Sequence, residues 1–264
     1  MKQFIDGILS ILSRYGSSLL LGVRTTLIVS LTGTILGLIL GLAVGGLRAA
    51  KLDYTASPAS RFFKKLFDIF ANIYITVFRG TPMMVQAVFF YYALLDVVHW
   101  SPMVAAIFVI SINTGAYMAE IVRSGIQAVD IGQTEAARSL GLSNTQTMMQ
   151  VVLPQAIRNA FPAIGNEFIV NIKDSSVLMI ISITELMFQS KSIAGSTFLF
   201  TETYFIEAMI YLLLTTIASL ILNYIERRMN RPKMSLPQSV TDPKNVDYIG
   251  EVVQKGGNSD YAAR

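Results

Sequence analysis

The sequence predicts an all-α integral membrane protein of five transmembrane helices with a cytoplasmic loop of soluble character. Three observations predict it. Of 264 residues, 53% are hydrophobic and only 14% are charged, with mean hydropathy +0.53; a soluble domain carries about a quarter charged residues. Apolar stretches recur near the length of about 20 residues that a bilayer core requires. Lys and Arg collect in alternate connections between those stretches. With no cysteine and one histidine, His99, disulfides and Cys- or His-based metal sites are not expected. The net charge of +4 is small, and no nucleic-acid partner is expected.

Residues 1–16 read as a short amphipathic lead-in, because Asp6 and Arg14 interrupt a short apolar run. The first span falls within 17–47. It carries Gly33, Gly37, Gly41 and Gly45, a glycine at every fourth position and so on one smooth helix face. That face suits packing within the subunit or against a second copy. The connection that follows includes a linker at 51–64 and holds Arg48, Lys51, Arg61, Lys64 and Lys65.

The second span is 82–98, with an apolar approach from Leu66. Thr81-Pro82 reads as an N-cap and a first-turn proline. The free N–H groups of Met83 and Met84 then form an anion site, one suited to an amino-acid carboxylate. A plain kink without a ligand is the alternative. Arg79, just before it, is assigned a structural role. The third span is 103–122. Asn113, Tyr117 and Glu120 lie four and three apart, on one face, and Glu120 can pair with Arg123.

The fourth region, 155–188, repeats that spacing in Glu167, Asn171 and Asp174. Ionisable groups inside a membrane face a cavity or a partner, which makes Glu167 the chief candidate for a substrate ammonium or cationic side chain. The fifth span is 205–226, followed by Arg227, Arg228, Arg231 and Lys233. The positive-inside rule places the N-terminus outside and the C-terminus in the cytoplasm. Residues 232–264 are polar and contain Pro232, Pro237 and Pro243, and are expected to form a mobile cytoplasmic tail. The domain scheme is therefore 1–16, 17–231 and 232–264.

Between spans three and four, about 130–154, runs a stretch unlike the rest. Glu135, Ala136 and Ala137 favour helix. Gly141 permits a positive φ, and Pro154 suits the start of a second helix. The expected form is helix, turn, helix, then entry into span four. It suits docking into a groove of another protein; an ordinary surface loop is the alternative.

Glu135-Ala136-Ala137, Gly141 and Leu153-Pro154 at their spacing resemble the EAA loop of ABC import permeases, with Val151 where the family pattern usually has Ile. "FRGTPMMVQ" (78–86), "NTGAYMAEIVRSGI" (113–126), "GQTEAARSLGLS" (132–143), "VLPQAIRNAFPAIGN" (152–166) and "IKDSSVL" (172–178) occur in the order found in the polar amino-acid permeases, the histidine/glutamine/arginine family. The similarity covers about 17–231. It implies a type I ABC importer. Two permease chains, identical or not, form the pathway, two ATP-binding cassette subunits bind ATP and Mg, and an external protein or domain delivers the substrate. Glu135, Ala136, Ala137, Gly141, Leu153 and Pro154 would belong to the coupling helix that enters the ATPase.

No G-x-x-x-x-G-K-[ST] loop is present, so the chain itself is expected to hold no cofactor and no ATPase activity. The substrate residues expected are Thr81, Met83, Met84, Asn113, Glu167 and Asn171. Glu167 favours a basic amino acid, with glutamine, glutamate and cystine open. The rivals are an ion-driven secondary transporter, which needs no docking loop, and a membrane scaffold, which leaves the polar faces of spans three and four unexplained.

Overall fold

The computed structural model describes residues 1–49 and 57–229. All regular structure among them is helical. Close contacts divide the chain after Glu226. The first unit contains nearly everything described, and the second is described only through Met229. The expected tail at 232–264 lies outside the described residues.

α1 runs unbroken over Lys2–Ala49. The 1–16 segment runs into the first span as one continuous helix. Asp6 and Arg14 sit on the exposed side of the helix, where a charge needs no break in the backbone. α2 (Pro58–Gly80) starts at Ser57, whose hydroxyl accepts the Ser60 N–H, with Pro58 in the first turn. The second half of the 51–64 linker is therefore helix, and 51–56 lie outside the described residues.

α3 (Met83–Val98) follows α2 after a bend of 112°. The apolar approach to span two is therefore a full helix set at a steep angle to it. α4 (Pro102–Gln127) is capped by Ser101. α5 (Ile131–Ser139) and α6 (Asn144–Thr147) build the polar loop. A π-helical turn, Met148–Val152, feeds α7 (Leu153–Asp174). A 3₁₀ turn, Ser175–Ile181, and α8 (Leu186–Thr197) continue it with a 58° bend. α9 (Phe200–Met229) ends the described chain.

Three helices, α1, α4 and α9, are long and apolar enough to cross a membrane, and each of the two bent pairs can add one span, up to 5. Large apolar residues are exposed on the outside of the bundle, as expected when the surroundings are apolar: Leu20, Ile39, Phe89, Leu213 and Leu220 are all exposed.

α4 is the central helix, with Ala105, Ala106, Val109, Ile110, Ala116, Met118 and Ala119 fully buried. The glycine face of α1 packs on it. A Cβ at Gly33 would lie 2.3 Å from Ile110 Cγ2, and one at Gly37 would lie 2.8 Å from Thr114. The open choice between internal packing and a second copy is settled for this face: it is covered by the same subunit.

One consequence is measurable. A Cβ at Gly41 would meet Met118 Cβ at 2.3 Å and the Met118 carbonyl carbon at 2.8 Å, whereas one at Gly46 would meet nothing within 4 Å. Gly41→Ala should therefore destabilise by about 1–3 kcal/mol through overpacking. Gly46→Ala should be neutral or stabilising, because alanine orders a helix more readily. Thermal unfolding in detergent separates the two, and equal melting temperatures would refute the close seam.

Candidate functional site

The polar loop is an ordered helix–turn–helix. Asp130 caps α5, its Oδ1 accepting the Gly132 N–H at 2.7 Å. The helix ends where Gly141 takes φ +86°, a conformation that side chains with a Cβ resist. The Gly141 N–H donates to Arg138 O at 2.9 Å and the Leu142 N–H to Ala137 O at 3.2 Å, closing the last turn. Ser143 then starts the next helix with a capping box: its hydroxyl accepts the Gln146 N–H, and its own N–H donates to Gln146 Oε1. Arg138 bonds Asn144 across the turn.

Pro154 explains the π-helical turn. In a regular helix its ring would press on the carbonyl of Gln150 and its missing N–H would leave that carbonyl unpaired. The backbone widens instead, and the Leu153 N–H reaches back to Met148 O. The outcome is one nearly continuous helical path from Asn144 into α7. Glu135, Ala136, Gly141 and Pro154 are exposed, and Leu140 is 82% exposed beside the turn. Ala137 is buried and Leu153 is half-buried. Of the six residues assigned to the loop's outer contact, these two face inward and hold its shape.

The bend at Thr81-Pro82 differs from expectation. Pro82, not Thr81, is the N-cap of α3, and no side chain caps it. The Thr81 hydroxyl donates backward to Val77 O at 2.8 Å, which makes Thr81 part of the end of α2. The bend is held by Gln86. Its Nε2 donates to Phe78 O (3.0 Å), Thr81 O (2.9 Å) and Thr81 Oγ1 (2.8 Å). Asn113 on α4 clamps the same corner, donating to Gln86 Oε1 at 2.9 Å and Phe78 O at 3.2 Å. Asn113 is thus occupied by the bend.

Asn171 is occupied too. Its amide donates to Thr34 Oγ1 (2.8 Å) and Thr114 Oγ1 (3.0 Å), while Ser30 donates to its backbone carbonyl (2.9 Å). With 2% exposure it is a junction of α1, α4 and α7. Both asparagines, expected to face substrate, are hydrogen-bonded to neighbouring helices in this arrangement. Each satisfies polar groups that would otherwise be buried unpaired.

Glu167 remains. It stands one turn before Asn171 on α7, is half-buried, and has no ion pair among the described residues. The charges that act on it are Asp174 and Arg79. Arg79 is exposed, and its guanidinium lies 5.2 Å from the centre of the Tyr117 ring, a cation–π contact. Met83 packs partly against the core, while Met84 is exposed. Two grooves, of about 300 and 200 Å³, run between α7 and α9, and none of the six expected substrate residues lines either.

At the other end of α4, Glu120 pairs with Arg123 at 2.7 Å, as its spacing indicates, and also with Arg48 of α1. Arg48 bonds Asn72 of α2 as well. The joints made by Arg48, and Gln86, were not singled out from sequence. A glutamine inside the apolar run "MMVQAVFF" is the signal that points to Gln86.

Comparison with known proteins agrees with this architecture. Residues 33–231 match the family model described as binding-protein-dependent transport system inner membrane component. The chain is 36% identical over 211 residues to the glutamine transport system permease protein GlnP of Escherichia coli strain K12, covering 79% of this chain and 91% of that one. It is 36% identical over 193 residues to the probable amino-acid permease protein YxeN of Bacillus subtilis strain 168, covering 72% and 83%. Among solved structures, an amino acid ABC transporter crystallised with histidines superposes with TM-score 0.73 at 36% identity, over 84% of this chain and 98% of that one. An inward-facing MetNI methionine ABC transporter shares the fold, with TM-score 0.67 at 20% identity over 81% and 96%. A bent helical bundle of up to five spans with an exposed helix–turn–helix between α4 and α7 is thus the fold of type I importer permeases, and the chain belongs to the binding-protein-dependent transport system inner membrane components, as an amino-acid ABC transporter permease.

Proposed function

We propose that this permease carries a polar amino acid into the cytoplasm, driven by ATP hydrolysed in two partner ATP-binding cassette subunits. A second permease chain completes the pathway and an external binding protein delivers the substrate. The observation that carries this reading is the exposed Glu135–Gly141 turn joined by continuous helix to α7, the helix of Glu167. A push on the turn has a direct mechanical route to the membrane interior. ATP and Mg sit on the partner, and the loop faces the cytoplasm with the Arg- and Lys-rich connections. That puts the N-terminus outside.

A basic amino acid is the substrate favoured by the unpaired, half-buried Glu167. Its carboxylate would meet the start of α3 at Met83 and Met84, where free N–H groups point out of the helix. Glutamine is the second reading, favoured by the relative from Escherichia coli that is named for glutamine transport. The test is uptake into proteoliposomes holding the permease, its ATP-binding subunit and its external binding protein. Arginine or lysine should accumulate only with ATP and Mg on the ATPase side. Uptake driven by an ion gradient without ATP would overturn the proposal, and ATP-driven uptake of glutamine alone would shift it to the second reading.

A further inference from the structure

Away from the loop and the bend, α8 and α9 enclose two buried glutamates in contrasting surroundings. Glu185, fully buried, heads α8. Its carboxylate accepts the Met187 N–H at 2.7 Å, the Phe188 N–H at 2.8 Å and the Tyr211 hydroxyl at 3.2 Å. Three donors, two of them at a helix start, stabilise an anion. Glu207 on α9 is 5% exposed, and its Oε2 has no hydrogen-bond partner. The Ser190 hydroxyl of α8 lies beside it, fully buried and also unpartnered.

Among the described residues, no counter-charge pairs with either glutamate. The apolar cluster shared by α1, α8 and α9 comprises Ile11, Leu19, Leu186, Ile193 and Ile206, with Tyr15 and Tyr211 packed against it. Thr26 of α1 accepts the Leu186 N–H at 3.3 Å. Thr203 donates to Leu199 O. Lys191, next to Ser190, is exposed, and no described Lys, Arg or His pairs with either glutamate. Glu185 lies within electrostatic reach of Glu207. Two neighbouring carboxylates in an apolar pocket do not both ionise without a cation between them. A metal cation is a poor fit: the Glu185 oxygens are already aimed at N–H and O–H hydrogens, which repel it, and the described residues hold no metal-binding group of three or more such ligands.

We propose that Glu207 is a buried proton-binding site, standing as a neutral carboxylic acid whose Oε2–H is directed at the Ser190 oxygen. The proton comes from water and bonds to Oε2; no other reactant enters. The joint between α8 and α9 is then held by one anion, Glu185, and one neutral acid.

The test uses the full chain assembled with its ATP-binding partner in lipid nanodiscs and follows the infrared carbonyl band of protonated carboxyl groups. A component of that band, shifted by D₂O, should disappear in Glu207→Gln, which mimics the neutral acid and keeps the fold. It should move to higher frequency in Ser190→Ala, which removes the acceptor. A band unchanged in both variants would overturn the proposal. So would stabilisation by Na⁺ that is present in the native chain and lost in Glu207→Gln. Should Glu207→Gln fail to assemble, Ser190→Ala decides alone, since an unmoved band contradicts the assignment.

Discussion

Gly141→Asp should insert and assemble with its ATPase partner yet lose most substrate-stimulated ATP hydrolysis, a fall of at least about tenfold, or about 1.4 kcal/mol. Two effects add. At φ +86° a side chain strains the backbone, by about 1–3 kcal/mol. That is small for the membrane bundle, because the turn touches none of its core. The second effect acts at the interface. The position is exposed, with open space around a Cβ, so the new carboxylate projects outward beside Leu140 and would be buried against the partner. Burying an unpaired charge is the larger penalty. Gly141→Asn isolates the terms: it carries the same strain without the charge and tolerates the left-handed region better than most residues. It should retain more coupling than Gly141→Asp. Full transport by Gly141→Asp in proteoliposomes would remove this turn from the ATPase contact.

The difference between what the sequence shows and what it hides follows from range. Helix ends are local events. Ser57-Pro58, Ser101-Pro102 and the Ser143–Gln146 capping box all announce themselves in adjacent residues. The loop's Gly141 acts likewise, since it restricts its own backbone and takes the positive φ expected of it, whereas Pro154, expected to start a helix, lies in a continuous helical path behind a π-helical turn. Span cores are legible because apolar composition is all a bilayer asks of them.

The polar residues inside the membrane are another matter. Asn113 and Glu167 look alike on a helical wheel. What separates them is whether a partner waits on another helix, and Asn113 meets Gln86, 27 residues away in the chain. Asn171 meets Thr34 at a separation of 137 residues. Spacing within one helix carries no information about such partners. The same limit misplaced Thr81: as a local pattern Thr-Pro is a helix start, but the hydroxyl is drawn back to Val77 O and the Gln86 amide. Asp6 and Arg14 show the converse, lying within an unbroken helix. A charge interrupts an apolar pattern without interrupting a helix.

With those two asparagines hydrogen-bonded within the bundle, the expectation for Glu167 is the sharpest. Glu167→Gln should weaken basic amino-acid transport about ten- to hundred-fold in apparent affinity while leaving basal ATP hydrolysis and assembly intact. The magnitude follows from losing a hydrogen bond to a charged group, about 1.5–3 kcal/mol. The glutamine keeps the size and one acceptor of the side chain, so packing on α7 is undisturbed. Asn171→Leu provides the contrast. It leaves Thr34 and Thr114, both buried, without their amide partner and should lower yield and melting temperature rather than affinity. The two variants sit one helical turn apart, so a defect that merely spreads through α7 would affect both alike. A split, with affinity lost in one and stability in the other, assigns the cation to Glu167 and the scaffold to Asn171. If the affinity of Glu167→Gln for arginine and lysine is unchanged, the glutamate does not read the side chain. The reading then moves to glutamine, whose neutral amide needs no buried anion.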